Sequence, residues 1–238
     1  MLKVDLHIHT ADDPVDRIPH TTEALLRRAA QLAFDAVAVT LHDRQLELAP
    51  LAGLAQDLGI TLIPGIERTI HGRHLLLLNF PPHAVGVTTF EEVEALKRRY
   101  EHGLVILPHP FFPLGNCMRD WTDRYRHLYD AVEYNGCYTA WLNFNRAAER
   151  WARTHGLPLV GGSDTHRLDA FGRTYTRVDA PERSADAICA AIREGHVEVR
   201  TEPFSPLGLA TYLGRMVLGG QHPQPARLPD IDAEGAAL

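Results

Sequence analysis

His7 and His9 stand two residues apart in VDLHIHT, at the end of an apolar run. On a β-strand that spacing sends both side chains to one face, which is how a strand offers two imidazoles to one cation. Asp164 and His166 repeat the spacing in GGSDTH, directly after PLV. Three more strand-like runs end in similar residues: AVAVT leads into Leu41-His42-Asp43, TLIPGI into Glu67, and LVILP into His109. Imidazole and carboxylate together suit Zn, Mn or Fe, and histidine also moves protons near neutral pH. Histidine is abundant, at 14 of 238 residues, but its placement at strand ends carries more meaning than its number. His74 opens HLLLLN and is preferred over His71 for any role there. Asp5 shares the face of residues 7 and 9; it is expected to orient a ligand histidine or to form a structural salt bridge.

The elements that must position these groups alternate along the chain. Strands are expected over 4–9, 36–41, 61–66, 74–79, 104–107, 131–134, 158–161 and 197–200. Helices are expected over 22–32, 46–58, 90–102, 140–155, 184–194 and 207–218. In the first helix Leu25, Leu26, Ala29, Ala30 and Ala33 recur at three- and four-residue intervals and form one apolar face. Gly59, Gly103 and Gly156 each follow a helical run and precede a strand, as helix-terminating glycines do. Strand–helix alternation predicts a parallel sheet with helices outside it, and this many units in one chain favour a closed or nearly closed barrel. A barrel gathers the C-terminal ends of its strands at one mouth, where the residues above would meet. One domain is expected over 1–218, with 219–238 a Gly/Pro-rich, flexible tail.

Composition narrows the function. Lys and Arg total 24 against 30 Asp and Glu, a net charge of −6, which argues against a general nucleic-acid coat. No apolar run approaches the roughly 18 residues of a membrane span. Cys117, Cys137 and Cys189 are scattered, with no CxxC. A disulfide framework and a thiolate zinc site are therefore not expected, and a cytoplasmic setting is.

DLHIHT, the His-Asp pair after AVAVTL, PGIE followed by a histidine, the PHP tripeptide at 108–110 and GGSDTH occur in this order over residues 3–166. Together they resemble the PHP (polymerase and histidinol phosphatase) family of metal-dependent phosphoesterases. The resemblance implies a distorted (β/α)7 TIM-like barrel, two or three divalent ions (Mn, Zn or Fe) and a metal-activated water that attacks a phosphate ester. Carried over by position, His7, His9, Glu67 and Asp164 hold the first ion. Glu67 bridges to a second ion held with His74 and His109. His42 and His166 hold a third, with an acid from the loop ADDPVDRIPH. Asp13 or Asp16 fills that role, Asp13 being placed first and Asp12 last. Glu67, His109 and His166 are the residues expected to take a direct part in catalysis, with His42, His109 or His166 available to protonate the leaving oxygen.

Asn135 is a candidate substrate or water contact, and Arg44, Arg68 and Arg173 are candidate clamps for a second phosphate or a carboxylate, Arg173 foremost. Phe111, Phe112, Trp121 and Tyr125 form either core and lid packing or a wall that stacks a ring. The implied partner is a small phosphorylated substrate such as histidinol phosphate, a nucleotide, or a short oligonucleotide end, with no membrane and no obligate protein partner. Two other readings compete. A C–N hydrolase of amidohydrolase type would use a metal-bridging lysine, but the chain has only Lys3 and Lys97, neither at a ligand strand end. A non-catalytic metal-binding regulatory domain is disfavoured because the ligand set is nearly whole.

Overall fold

Along the chain run β1 (Leu2–Ile8), α1 (Thr22–Gln31), β2 (Ala36–Val39), α2 (Ala52–Asp57), β3 (Thr61–Ile70), β4 (Arg73–Leu78), α3 (Phe90–Arg99) and β5 (Leu104–Leu107). They are followed by β6 (Ala131–Asn135), α4 (Asn145–His155), β7 (Leu159–Gly162), β8 (Thr174–Val178), α5 (Ala185–Arg193), β9 (Val197–Thr201) and α6 (Pro206–Gly219). This is a computed structural model that describes residues 1–219, so the expected tail, apart from Gly219, lies outside the described residues. Among these residues no helix is long and apolar enough to cross a membrane.

Local chemistry explains the helices that frame the site. Thr21 caps α1 by accepting from the Ala24 N–H, and Leu25, Leu26 and Ala29 turn inward. Thr89 and Glu92 form a reciprocal capping box at the start of α3. Gly156 ends α4 in the left-handed region that glycine adopts without strain.

The strands form one nine-stranded sheet in the order β7-β6-β5-β4-β3-β2-β1-β8-β9. Its two sides meet: the Asp164 N–H donates to His7 O at 2.8 Å, and the His9 N–H donates to Thr165 O at 3.0 Å. Thr176 Oγ1, on β8, accepts from the Gly161 N–H at 2.8 Å and donates to Gly161 O at 3.0 Å. The result is the nearly closed, distorted barrel that the alternation predicts. Its inner cluster takes Val4, Leu6, Ile63, Leu76, Leu104, Ile106 and Val160 from the strands and Ile188, Cys189 and Ile192 from α5. Arg193 on α5 reaches Gly103, ahead of β5, so this helix packs at the end opposite His109. Separate clusters lie under α1 and α2 and under α3 and α4.

Four departures matter. The sheet is mixed: β4 runs antiparallel to both β3 and β5, and β8 runs antiparallel to both β1 and β9. β3 continues to Ile70 and turns at His71-Gly72 into β4 with no helix between them. The helix expected over 46–58 is a short turn followed by α2 alone, and the one expected from 140 begins at Asn145. Finally, β1 slips register against β2 between Asp5 and Ile8. Such a bulge re-aims side chains, and here the adjacent Leu6 and His7 reach the inner cluster and the inward carboxylates respectively.

Barrel closure gives a direct test. Thr176→Val keeps the shape of the side chain but removes both hydrogen bonds to Gly161. The expected loss is about 1–3 kcal/mol, read from the midpoint of urea unfolding.

Candidate metal centre

The loops and strand ends at one mouth bring together His7, His9, His42, Glu67, His74, His109 and Asp164, with His166 stacked on His9 at a ring separation of 4.5 Å. Glu67 is almost fully buried at 1% exposure. Its Oε2 lies 3.1 Å from His42 Nε2, 3.3 Å from His9 Nε2 and 3.5 Å from His7 Nε2. Its Oε1 lies 2.7 Å from His74 Nδ1 and 3.0 Å from His109 Nε2. The elongation of β3 past the barrel carries Glu67 to this point, and the loop after β2 pairs with it: the Glu67 N–H donates to Leu41 O and the Asp43 N–H to Glu67 O.

One subset has the dimensions of a coordination shell. His7 Nε2 and His9 Nε2 are 3.2 Å apart. Each is 3.5 Å from Asp164 Oδ1, and they lie 3.5 and 3.3 Å from Glu67 Oε2. Donors bound tetrahedrally at about 2.0–2.1 Å lie about 3.3–3.4 Å from one another. Five edges of a tetrahedron thus match a transition-metal site. The residues fit the ions that the resemblance implies.

The rings are held from behind. His7 Nδ1 meets Glu133 Oε1 at 2.7 Å, and Asp13 Oδ2 takes the Nδ1 of both His9 and His42 at 2.9 Å. His109 Nδ1 faces Cys117 Sγ at 3.3 Å. A carboxylate that takes the Nδ1 proton leaves the Nε2 lone pair facing inward, which fixes the tautomer a metal requires. Two inward-facing residues, His109 and Asp164, have positive φ of 29° and 49°, a conformation that side chains other than glycine rarely adopt.

Other residues differ from what their spacing suggests. Asp13 stands behind the rings, its Oδ1 accepting from the Val15 and Asp16 N–H groups and its Oδ2 from His9 and His42. With His9 and His42 it forms a donor group close enough to share an ion, and the Asp16 carboxylate faces His166 Nε2 at 3.0 Å. Asp5 accepts from the backbone N–H groups of His7 and Ser163 rather than from an imidazole; it fixes the backbone under His7, and burial pushes its carboxyl up to about 7. Asn135 donates to Asp164 Oδ2 at 3.0 Å and to Glu133, so it steadies a cluster carboxylate. Arg173 donates to Pro203 O and lies over the Phe204 ring. Arg44 is held to the Asp12 carbonyl, and Arg68 donates to Val87 O and pairs with Asp43. Phe111, Trp121 and Tyr125 pack on the cluster under α3, with Tyr125 stacked on Phe90.

Sequence reasoning missed Glu133. It is 1% exposed, holds His7 and also accepts from the His109 N–H at 2.8 Å. The signal was present: a carboxylate inside the apolar run AVEYN, two residues before Asn135. Gly162 belongs with it, since a Cβ there would overlap Glu133 Oε1. His20 is buried with neither ring nitrogen paired among the described residues, and burial pushes its imidazole down to about 4.

The electrostatics favour cations. Burial alone would lower the His7, His9 and His109 imidazoles, but the surrounding acids and Cys117 hold them well above the ordinary histidine range. Burial alone would raise Glu67 and Asp164, but the histidines hold both far below it. In metal-free protein, protons on these histidines would supply the positive charge that the acids demand. A raised imidazole contributes stability that is complete below its unfolded value of about 6.5 and is lost as pH rises through the folded value. A depressed carboxylate contributes stability present above about 4 and lost as pH falls. Metal-free protein is therefore expected to be most heat-stable at mildly acid pH and less so toward pH 9. Added Mn²⁺ should bind more tightly as pH rises and release protons, measurable by titration in two buffers. Gly162→Ala should weaken metal affinity about ten- to a hundredfold by displacing Glu133, read by the same titration.

Residues 143–197 match the model of the PHP-associated family, PHP_C. No curated protein matches the sequence. A two-domain protein from Bacteroides vulgatus, named as containing a predicted PHP-like metal-dependent phosphoesterase, is similar in fold, with TM-score 0.62, 18% identity, and 90% of this chain and 69% of that chain covered. The lesion-specific endonuclease Endonuclease Q of Pyrococcus furiosus is similar with TM-score 0.60 and 17% identity, covering 83% of this chain and 57% of that one. An amidohydrolase from Chromobacterium violaceum with bound sulfate and no metal is similar with TM-score 0.53 and 17% identity, covering 82% and 97%. The chain shares the barrel fold of these proteins, and the matched segment supports the PHP resemblance that its ordered motifs carry.

Proposed function

We propose that the protein is a metal-dependent phosphoesterase that cleaves a small phosphate ester. The observation that carries this reading is the set of converging donors around Glu67, whose separations suit a transition-metal ion on its Oε2 side and continue to His74 and His109 on its Oε1 side. His7, His9, Glu67 and Asp164 would hold one ion; Glu67, His74 and His109 a second. His166, Asp16 and His42 would hold a third, with Asp13 orienting His42 from behind. Bound divalent ions supply a water of lowered pKa and neutralise charge on phosphoryl and leaving oxygens.

The chain's own groups do the rest. Glu67 ties the two halves of the site together through its two oxygens. Glu133 and Asp13 fix the rings of His7, His9 and His42, and Asn135 holds Asp164 in place. No Ser or Cys nucleophile is needed, and buried Cys117 serves His109 instead. His166 presents Nε2 to Asp16 and Nδ1 to the Asp164 carbonyl, so it would act with Asp16 as a ligand. The substrate class is a phosphomonoester such as histidinol phosphate, a nucleotide, or a short oligonucleotide end. The likeness in fold to an amidohydrolase does not shift the reading toward C–N hydrolysis, because neither lysine reaches the cluster. Lys3 Nζ donates to Leu32 O, and Lys97 Nζ to Leu128 O and Asp130.

The test is a panel of phosphomonoesters, bisphosphorylated nucleotides and short oligonucleotides assayed with added Mn²⁺ or Zn²⁺, beside elemental analysis of the protein. Two or three transition-metal ions per chain and hydrolysis of one class are expected. Glu67→Gln is expected to lower turnover by more than about a hundredfold while the fold survives, because it removes the shared ligand. Near-normal rates in that variant, or no hydrolysis by metal-loaded protein of any member of the panel, would overturn the reading.

A further inference from the structure

The candidate ligands Asp164 and His166 lie on a turn whose backbone is strained at Asp164, and an element outside the ordered motifs holds that turn. Tyr212, on α6, is buried at 7% exposure, with its hydroxyl between the two residues. Tyr212 Oη accepts from the His166 N–H at 3.2 Å and donates to the Asp164 carbonyl at 3.4 Å. The same carbonyl takes His166 Nδ1 at 3.0 Å, so the hydroxyl and the imidazole converge on one oxygen. The ring is seated by Ala170, Leu209 and Phe204, the last stacked on it at 5.3 Å. From the other side the Asp164 side chain is held by Asn135.

We infer that Tyr212 is a positioning residue for the metal centre. Its hydroxyl bridges the backbone of Asp164 and His166 and holds the left-handed turn in the one geometry that aims Asp164 Oδ1 between His7 and His9 while His166 Nε2 faces Asp16. Without that bridge the turn relaxes toward ordinary backbone angles, and both side chains lose their aim together. The effect is on ligand geometry rather than on packing, because the aromatic ring and not the hydroxyl fills the space between α6 and Ala170. Docking of α6 therefore becomes a condition for a well-formed centre, although the helix supplies no ligand. This inference rests on the metal-binding part of the proposed function and not on the reaction.

The test is Tyr212→Phe in the full chain, which keeps the ring and removes only the hydroxyl. Metal-free and Mn²⁺-loaded protein are compared by thermal unfolding, and affinity is measured by titration of Mn²⁺ followed by the magnetic-resonance signal of the free ion. The expected result is a metal-free melting temperature lowered by clearly less than in a variant that loosens α6, an affinity about tenfold weaker, and a smaller rise in melting temperature on loading. Leu209→Ala, which loosens α6 packing and keeps the hydroxyl, provides the contrast: it is expected to lower the metal-free melting temperature. Wild-type affinity in Tyr212→Phe would overturn the inference. So would a metal-free melting temperature lowered as far as that of Leu209→Ala, which would mark a purely structural role. Failure of the function reading looks different, since there both proteins bind metal and neither hydrolyses any phosphate ester.

Discussion

Everything at the mouth of this barrel depends on one buried carboxylate. Glu67 is shut away from water and touches five imidazoles, His7, His9 and His42 through one oxygen and His74 and His109 through the other. An isolated carboxylate in such a place would cost several kcal/mol of lost hydration. It is tolerated because positive charge comes to it, and neutral histidines bring none of their own. The charge must arrive as protons or as metal ions. A shell of histidines around a buried acid is an arrangement completed by cations, which is why its donor spacings read as a coordination polyhedron rather than as a salt-bridge network.

Much of this was legible from residue order because the chemistry lies at the ends of apolar runs. His7, His9, Glu67, His74, His109, Asp164 and His166 are all placed by strands short enough to recognise, and the barrel that unites them follows from alternation alone. What was not legible depended on contacts between distant segments. β8, whose run Thr174–Val178 alternates only weakly, was missed although it pairs with β1 and closes the sheet. The bulge in β1 left no mark in its composition, yet it decides that Asp5 grips backbone while His7 faces inward. Asp13 and Asp16 could not be separated by spacing, since both lie in one loop and only the fold shows which of them stands behind the rings. Arg173 is prominent for its place after the last motif, and its contacts with Pro203 O and the Phe204 ring come from a segment that spacing does not bring near it.

The site has an inner and an outer layer with distinct tasks. Inward nitrogens and oxygens are available for ions, while Glu133, Asp13 and Cys117 hold the opposite ring nitrogens and Asn135 holds the second oxygen of Asp164. An Asp beside a histidine cluster is as useful for fixing a tautomer as for binding metal, so residue type and spacing alone do not separate the two roles. Glu133 does this for His7 while accepting from the His109 backbone, so one carboxylate aligns ligands from two strands, and Gly162 exists without a side chain so that this carboxylate can lie against it.

The distortion of the barrel follows from the same need. In a regular repeat, each strand hands its ligand to the mouth at about the same level, and a helix separates it from the next. Here β3 overruns the barrel and folds straight back as β4, so Glu67 rises between the loop after β2 and His74 on the returning strand. A helix at that point would separate Glu67 from His74 by a crossover and leave Glu67 Oε1 with His109 alone. The hairpin instead places the acid in the middle of the ring of histidines rather than on its rim. The mixed sheet is thus the geometry by which a single side chain meets two sets of imidazoles at once.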